Sequence, residues 1–306
     1  MTQDVTTREA ATNPARPLAR IVASSRVIEG GGFEVNRPFP TATLNRLDPF
    51  LLLDEMAPVH HEPGQAIGAP AHPHRGFETV TYVLQGEIEH KDSAGNHGVI
   101  GSGDVQWMTA GDGIIHSEMP SARIQTEGGL GHGLQVWVNL PSSLRRTTPR
   151  YQALPNSQLA SVTGEGWAAE VVAGSMLGVD GPAETHTPIT YARVTIQPGA
   201  SLRIPITDGH AAAIYLFDGS GLVGEPGELL EAQHLAVFEP SSGDLVISVP
   251  ASTAGPFDSI VLAGEPIGEP IARNGPFVMN TMAEIDEAIA DFNAGRMGSI
   301  PATGTT

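Results

Sequence analysis

Two short segments pair residues that bind metals: His72-Pro73-His74 and His116-Ser117-Glu118, each with two ligand-type side chains two residues apart. In an extended strand, residues i and i+2 project from the same face. Each pair therefore sends both its side chains into one space, and two neighbouring strands bring three imidazoles and one carboxylate to a point. Neutral imidazoles with one anionic oxygen suit a divalent first-row ion such as Fe(II), and four protein ligands leave two octahedral positions for substrate and dioxygen. Zn, Ni, Mn and Cu are held by the same donors, so the residues specify a divalent metal without choosing it. The chain has no cysteine, so any metal site is built from histidine and carboxylate. A lone histidine near Gly or Pro is ordinarily just solvated. Two pairs at strand spacing, with Gly111-Asp112-Gly113 ahead of His116, outweigh that reading. Glu78 shares strand parity with His74. It is a candidate fifth oxygen donor, a group that orients a ligand imidazole, or, with Glu118, a general base; a salt-bridged wall position is the bland alternative. His60, His61, His90, His97 and His132 lack paired spacing and read as surface or structural. Trp107 and Trp137 read as core, with a pocket wall as their second role.

The elements that must position these residues are strands. Glu78 to His90 and Val105 to Thr109 are β-rich, and Ser93-Ala94-Gly95-Asn96 and Gly101-Ser102-Gly103-Asp104 break them as turns. Gly 36 and Pro 25 in 306 residues favour short strands and many turns. The class is all-β: two tandem antiparallel β-barrels with a short C-terminal helix. The divisions are a flexible tail 1–20, a metal-binding barrel 21–140, an interdomain crossing 141–155, a second barrel 156–280, a helix 281–297 and a flexible tail 298–306. Thr281 with Glu284 forms a capping box, and Ile285, Ile289 and Phe292 form one apolar stripe. The second half echoes the first, with Tyr215 to Gly219 repeating Tyr82 to Gly86. At the corresponding offsets His72 and His74 become Pro205 and Thr207, while His116 and Glu118 become Val246 and Ser248. The second barrel therefore carries the pattern without the ligands.

Composition excludes several classes. With 34 acidic and 16 basic side chains the formal charge is −18, which repels phosphate backbones and anionic lipid surfaces, so neither nucleic acid nor membrane is an expected partner. No apolar run approaches a membrane span or the core of a secretory signal, and the expected location is the cytoplasm. Ser102 sits in a turn between strands rather than in a nucleophile elbow. Gly30-Gly31-Gly32 precedes a strand, not the helix that a phosphate loop requires.

The chain resembles the pirin family of the cupin superfamily. The resemblance rests on LDPFLLLDEMAP (47–58), HPHRGFETVTYVLQGEIEHKDS (72–93), GDVQWMTAGDGIIHSEMP (103–120) and GEPIARNGPFVMNT, and it spans roughly Ile21 to Met297. It implies two tandem cupin barrels and a single iron held by His72, His74, His116 and Glu118. The general cupin pattern sets its Glu with six residues between it and a glycine, a position that from Gly86 falls on Thr79 and not on Glu78. The resemblance also implies a quercetinase-type dioxygenase acting on a flavonol. The alternative it implies is an iron-dependent redox sensor that binds a transcription factor or metabolic enzyme. A monomer is expected.

Overall fold

The computed structural model describes residues 13–29 and 31–301. The Gly- and Pro-punctuated apolar runs fold into two barrels of matching design, each a seven-stranded sheet facing a four-stranded one. In the first, the large sheet runs in the order Arg150–Leu154, Val105–Thr109, Phe77–Gln85, Gly129–Asn139, Phe50–His61, Phe33–Phe39, Ser25–Glu29. Its small sheet runs Ala69–His74, Ile114–Pro120, Glu87–Asp92, His97–Gly101. The second barrel repeats this with a large sheet of Leu18–Ala23, His234–Phe238, Ala211–Asp218, Phe257–Gly264, Ile189–Ile196, Trp167–Ala173 and Ala160–Gly164. The expected all-β architecture of two cupin-type barrels holds. The echo noted in the sequence is the shared step from Phe77–Gln85 or Ala211–Asp218 through a glycine in the left-handed region, Gly86 or Gly219, with φ of 94° and 86°.

The two large sheets pack face to face. Val80, Tyr82, Trp107 and Val136 from the first meet Tyr191, Tyr215, Val237 and Ile260 from the second in one continuous buried cluster. Alternation then decides what fills each barrel, because the next residue along every strand points the other way. In the second barrel those residues are apolar: Leu202, Ile204, Ile214, Leu216, Leu245 and Ile247 form its core. In the first barrel Thr81, Gln106 and Gln135 turn inward, and the interior is polar on that side.

Both ends of the chain cross over, which redraws the expected divisions. Residues 1–12 of the expected N-terminal tail lie outside the described residues, but residues 13–20 are held in place. The buried Arg16 guanidinium donates to the carbonyls of Gly243, His210, Ile206 and Thr207. Leu18–Ala23 then pairs with His234–Phe238 of the second barrel, so the first barrel does not begin at 21. Within the expected crossing, Arg150–Leu154 pairs with Val105–Thr109 and closes the first barrel's large sheet. Past the second barrel, the hairpin Ala272–Asn274 with Phe277–Met279 returns to the first through a parallel bridge between Arg75 and Phe277.

The final helix, Met282–Asn293, starts at the expected capping box, with Thr281 accepting from the Glu284 N–H and Glu284 accepting from the Thr281 N–H. It ends earlier than expected, because Gly295 adopts φ 72° and turns the chain so that Met297 is buried beside Phe277 and Ile285. Of the expected tail 298–306, residues 302–306 lie outside the described residues. A second helix, Ala122–Glu127, is capped by Ser121.

Candidate metal centre

The ligand histidines sit on adjacent antiparallel strands, Ala69–His74 and Ile114–Pro120, with His72 opposite His116 and His74 opposite Ile114. Their three rings converge. Nε2 of His72 lies 3.0 Å from Nε2 of His74 and 3.0 Å from Nε2 of His116, and one ligand atom from each falls within 4.8 Å of the others. Backbone carbonyls settle two of the tautomers. Nδ1 of His72 is 2.7 Å from the Pro70 carbonyl, and Nδ1 of His74 is 3.1 Å from the Pro276 carbonyl. A carbonyl only accepts, so each Nδ1 carries the proton and each Nε2 aims a lone pair into the cluster. Nδ1 of His116 is buried with no partner.

Lone pairs 3.0 Å apart repel unless a cation lies between them. Protonated rings are disfavoured here: burial, then the neighbouring His72, pushes His74 down to about 3. Burial, then His74 and His72, holds His116 well below its ordinary value. Neutral, pre-aimed imidazoles in a buried cluster fit a divalent metal, and they leave its identity open.

Glu118 projects into the same barrel but stands apart from the three histidines. Its Oε1 accepts from Thr81 Oγ1 at 2.7 Å and from the Gln106 amide, and its Oε2 accepts from Gln135 Nε2 at 2.9 Å. The register slips between His116 and Glu118, which sets the carboxylate toward the large sheet. These three donors escape a motif search. The legible signal is polarity at inward positions of apolar strands, Gln106 in VQWMT and Gln135 in LQVWV, and the buried amide of Gln106 in particular needs a partner.

Glu78 is a correction. Strand Ala69–His74 ends before Arg75-Gly76, and Phe77–Gln85 is a different strand in a different sheet, so parity counted from His74 does not carry across. Glu78 lies opposite Thr109 and Val138 on the face of Val80 and Tyr82. It points away from the histidines toward the contact between barrels. There its Oε1 accepts from Thr109 at 2.6 Å and its Oε2 has no partner. Burial raises it from 4.5 to about 7 against the opposing pull of Thr109, the Trp107 indole and the charge of Arg150. It is neither ligand nor base for this site.

Among the remaining histidines, His97 is exposed and paired with Glu89, as a surface residue should be. His90 is fully buried, stacked on Tyr151 at 4.4 Å, 3.2 Å from Asp92 and 5.5 Å from the His116 ring centre. A cavity of about 880 Å³ opens from the cluster, lined by His72, His74, Thr81, Glu118, Gln135 and Trp137, with His61 and His132 farther out. Trp137 therefore does form a pocket wall, edge-on to His74 at 5.2 Å, while Trp107 is core between the sheets. Val59, Ile67 and Leu130 form an exposed apolar rim.

This architecture has known counterparts. The family model described as Pirin matches residues 32–138, and that described as the Pirin C-terminal cupin domain matches residues 191–298. Pirin-like protein 2 of Arabidopsis thaliana is 40% identical over 288 residues, covering 93% of this chain and 86% of its own. Human pirin is 40% identical over 282 residues, covering 90% of this chain and 92% of its own. The crystal structure of a protein named quercetin 2,3-dioxygenase from Acinetobacter baumannii superposes with a TM-score of 0.87 at 37% identity, covering 94% of this chain and 99% of that one. Two barrels in one chain, a histidine cluster in the first and an apolar core in the second, and identity near 40% along almost the whole length lead to one statement: the chain belongs to the pirin family.

Proposed function

We propose that this protein is an Fe(II)-dependent dioxygenase of the quercetin 2,3-dioxygenase type, acting on a flavonol or a similar flat aromatic. The observation that carries the proposal is the cavity of about 880 Å³ against the histidine cluster, of the size that takes a drug-sized ligand. Bound iron would supply Lewis acidity toward the substrate hydroxyl and redox chemistry toward dioxygen. In this reading His72, His74 and His116 hold the metal, and the carbonyls of Pro70 and Pro276 keep two of those rings aimed. Trp137 and the apolar rim of Val59, Ile67 and Leu130 receive the flat rings and exclude water. Glu118 accepts the proton of the substrate hydroxyl. Thr81, Gln106 and Gln135 position its carboxylate for that in the cavity wall, and to serve as a fourth metal donor it would have to give up part of those bonds.

The test is metal content together with oxygen uptake on quercetin, for the purified protein and for His116→Ala. The expected result is close to one iron per chain with uptake that the substitution abolishes. Iron bound without any uptake would refute the dioxygenase and leave the regulatory role, an iron-dependent surface for a protein partner. Metal content unaffected by His116→Ala would refute the site.

A further inference from the structure

The cavity has a second pole. Arg273, in the hairpin that returns from the second barrel, lines it with an exposed side chain whose guanidinium carbon lies 4.7 Å from the centre of the Trp137 ring. Trp137 in turn lies edge-on to His74, so the guanidinium is two ring contacts from the histidine cluster. Among the described residues its neighbours are otherwise engaged. Asp54 and Glu29 accept from Arg37 at 2.6 Å each, and Arg273 feels both carboxylates and Arg37 only through space. It therefore presents five N–H donors to the cavity with no anion bonded to them, in a chain that is otherwise strongly acidic. Stacking on an indole holds a guanidinium's plane while leaving its donor edge free.

We infer that Arg273 determines specificity: the cavity takes a flat chelating aromatic that carries a carboxylate at the end remote from the histidines. This rests on the histidine cluster being the metal site proposed above. One end of the ligand meets the metal, its ring passes the edge of Trp137, whose faces Phe77 and Arg273 cover, and its carboxylate accepts two parallel N–H bonds from Arg273. Glu29 and Asp54 do not occupy the guanidinium, because Arg37 holds both.

The experiment uses protein loaded with redox-inert Zn(II), so that binding is read without turnover. Fluorescence titration compares 3-hydroxyflavone with its 4′-carboxylate, which have the same chelating group, on the wild type, Arg273→Gln and Arg273→Lys. The expected result is a preference for the carboxylate on the order of 5- to 10-fold in the wild type, partly kept by lysine and lost with glutamine. The melting temperature should stay unchanged throughout, and the affinity for 3-hydroxyflavone should change by less than the affinity for the carboxylate. Equal affinities in the wild type, or a preference that survives Arg273→Gln, would overturn the assignment while metal-dependent binding of 3-hydroxyflavone left the metal site standing. If neither compound bound better with zinc than without, the metal site itself would fail and this inference with it.

Discussion

Glu118 and Glu78 are two buried carboxylates held in opposite ways. Glu118 receives three side-chain donors inside the barrel, which fix the direction of its carboxylate. Glu118→Gln is expected to retain iron on the three histidines and to lower oxygen uptake at least ~100-fold, as loss of a general base does. Metal analysis beside the uptake assay checks this, and loss of the iron would instead make Glu118 an indispensable ligand. Glu78 has one donor and an unpartnered oxygen between the barrels, with Arg150 as the facing cation. Its pKa is raised from 4.5 to about 7 by burial, so the folded state disfavours its charged form. That penalty is absent below about pH 4.5, grows as pH rises through the interval, and is complete above about 7. Glu78→Gln should therefore leave stability near pH 4.5 unchanged and raise it at pH 8 by at most roughly 3 kcal/mol. Chemical denaturation at the two pH values reads this, and an equal effect at both would refute it.

At the scale of elements, the site depends on a segment far away in sequence. The hairpin 272–279 brings the Pro276 carbonyl to His74, and Arg145, itself buried, donates to the carbonyls of Gly76 and Val278 and ties the hairpin down. Gly76 has φ 91°, and a Cβ there would stand 1.8 Å from the Val278 carbonyl oxygen. Gly76→Ala should push the hairpin away at a cost of about 3 kcal/mol or more and weaken metal binding, because His74 loses the bond that aims it. Faster proteolysis after residue 270, together with reduced iron content, is the expected signature; full iron content with the hairpin released would refute the link. The convergence of His72 and His74 is legible in sequence because strand alternation has a period of two, whereas the register shift after His116, which sets Glu118 apart, leaves no mark in the spacing. The capping box at Thr281 is legible for the same local reason. The hairpin is not, since three-residue strands carry no periodicity, and Glu78 is misread because parity is reset at Arg75-Gly76.

Long-range pairing sets the whole molecule. That Leu18–Ala23 belongs to the second barrel and Phe277–Met279 to the first cannot be read from residues whose local pattern says only "strand", because edge pairing is decided by contacts far apart in sequence. The crossed ends make a strap in each direction, and the shared core of Tyr82, Trp107, Tyr191 and Tyr215 glues the large sheets. The two barrels are therefore one cooperative unit. Calorimetry of the iron-loaded protein should show a single unfolding transition. Val237 lies in the second barrel at this contact and is 6% exposed. Val237→Asp places an unpaired charge there and should lower the whole transition by several kcal/mol. Iron bound in the first barrel should be released at the same lowered temperature, although the substitution touches no ligand. Two separate transitions, with iron retained through the first of them, would mean that each barrel stands alone and that the crossed ends are connections rather than supports.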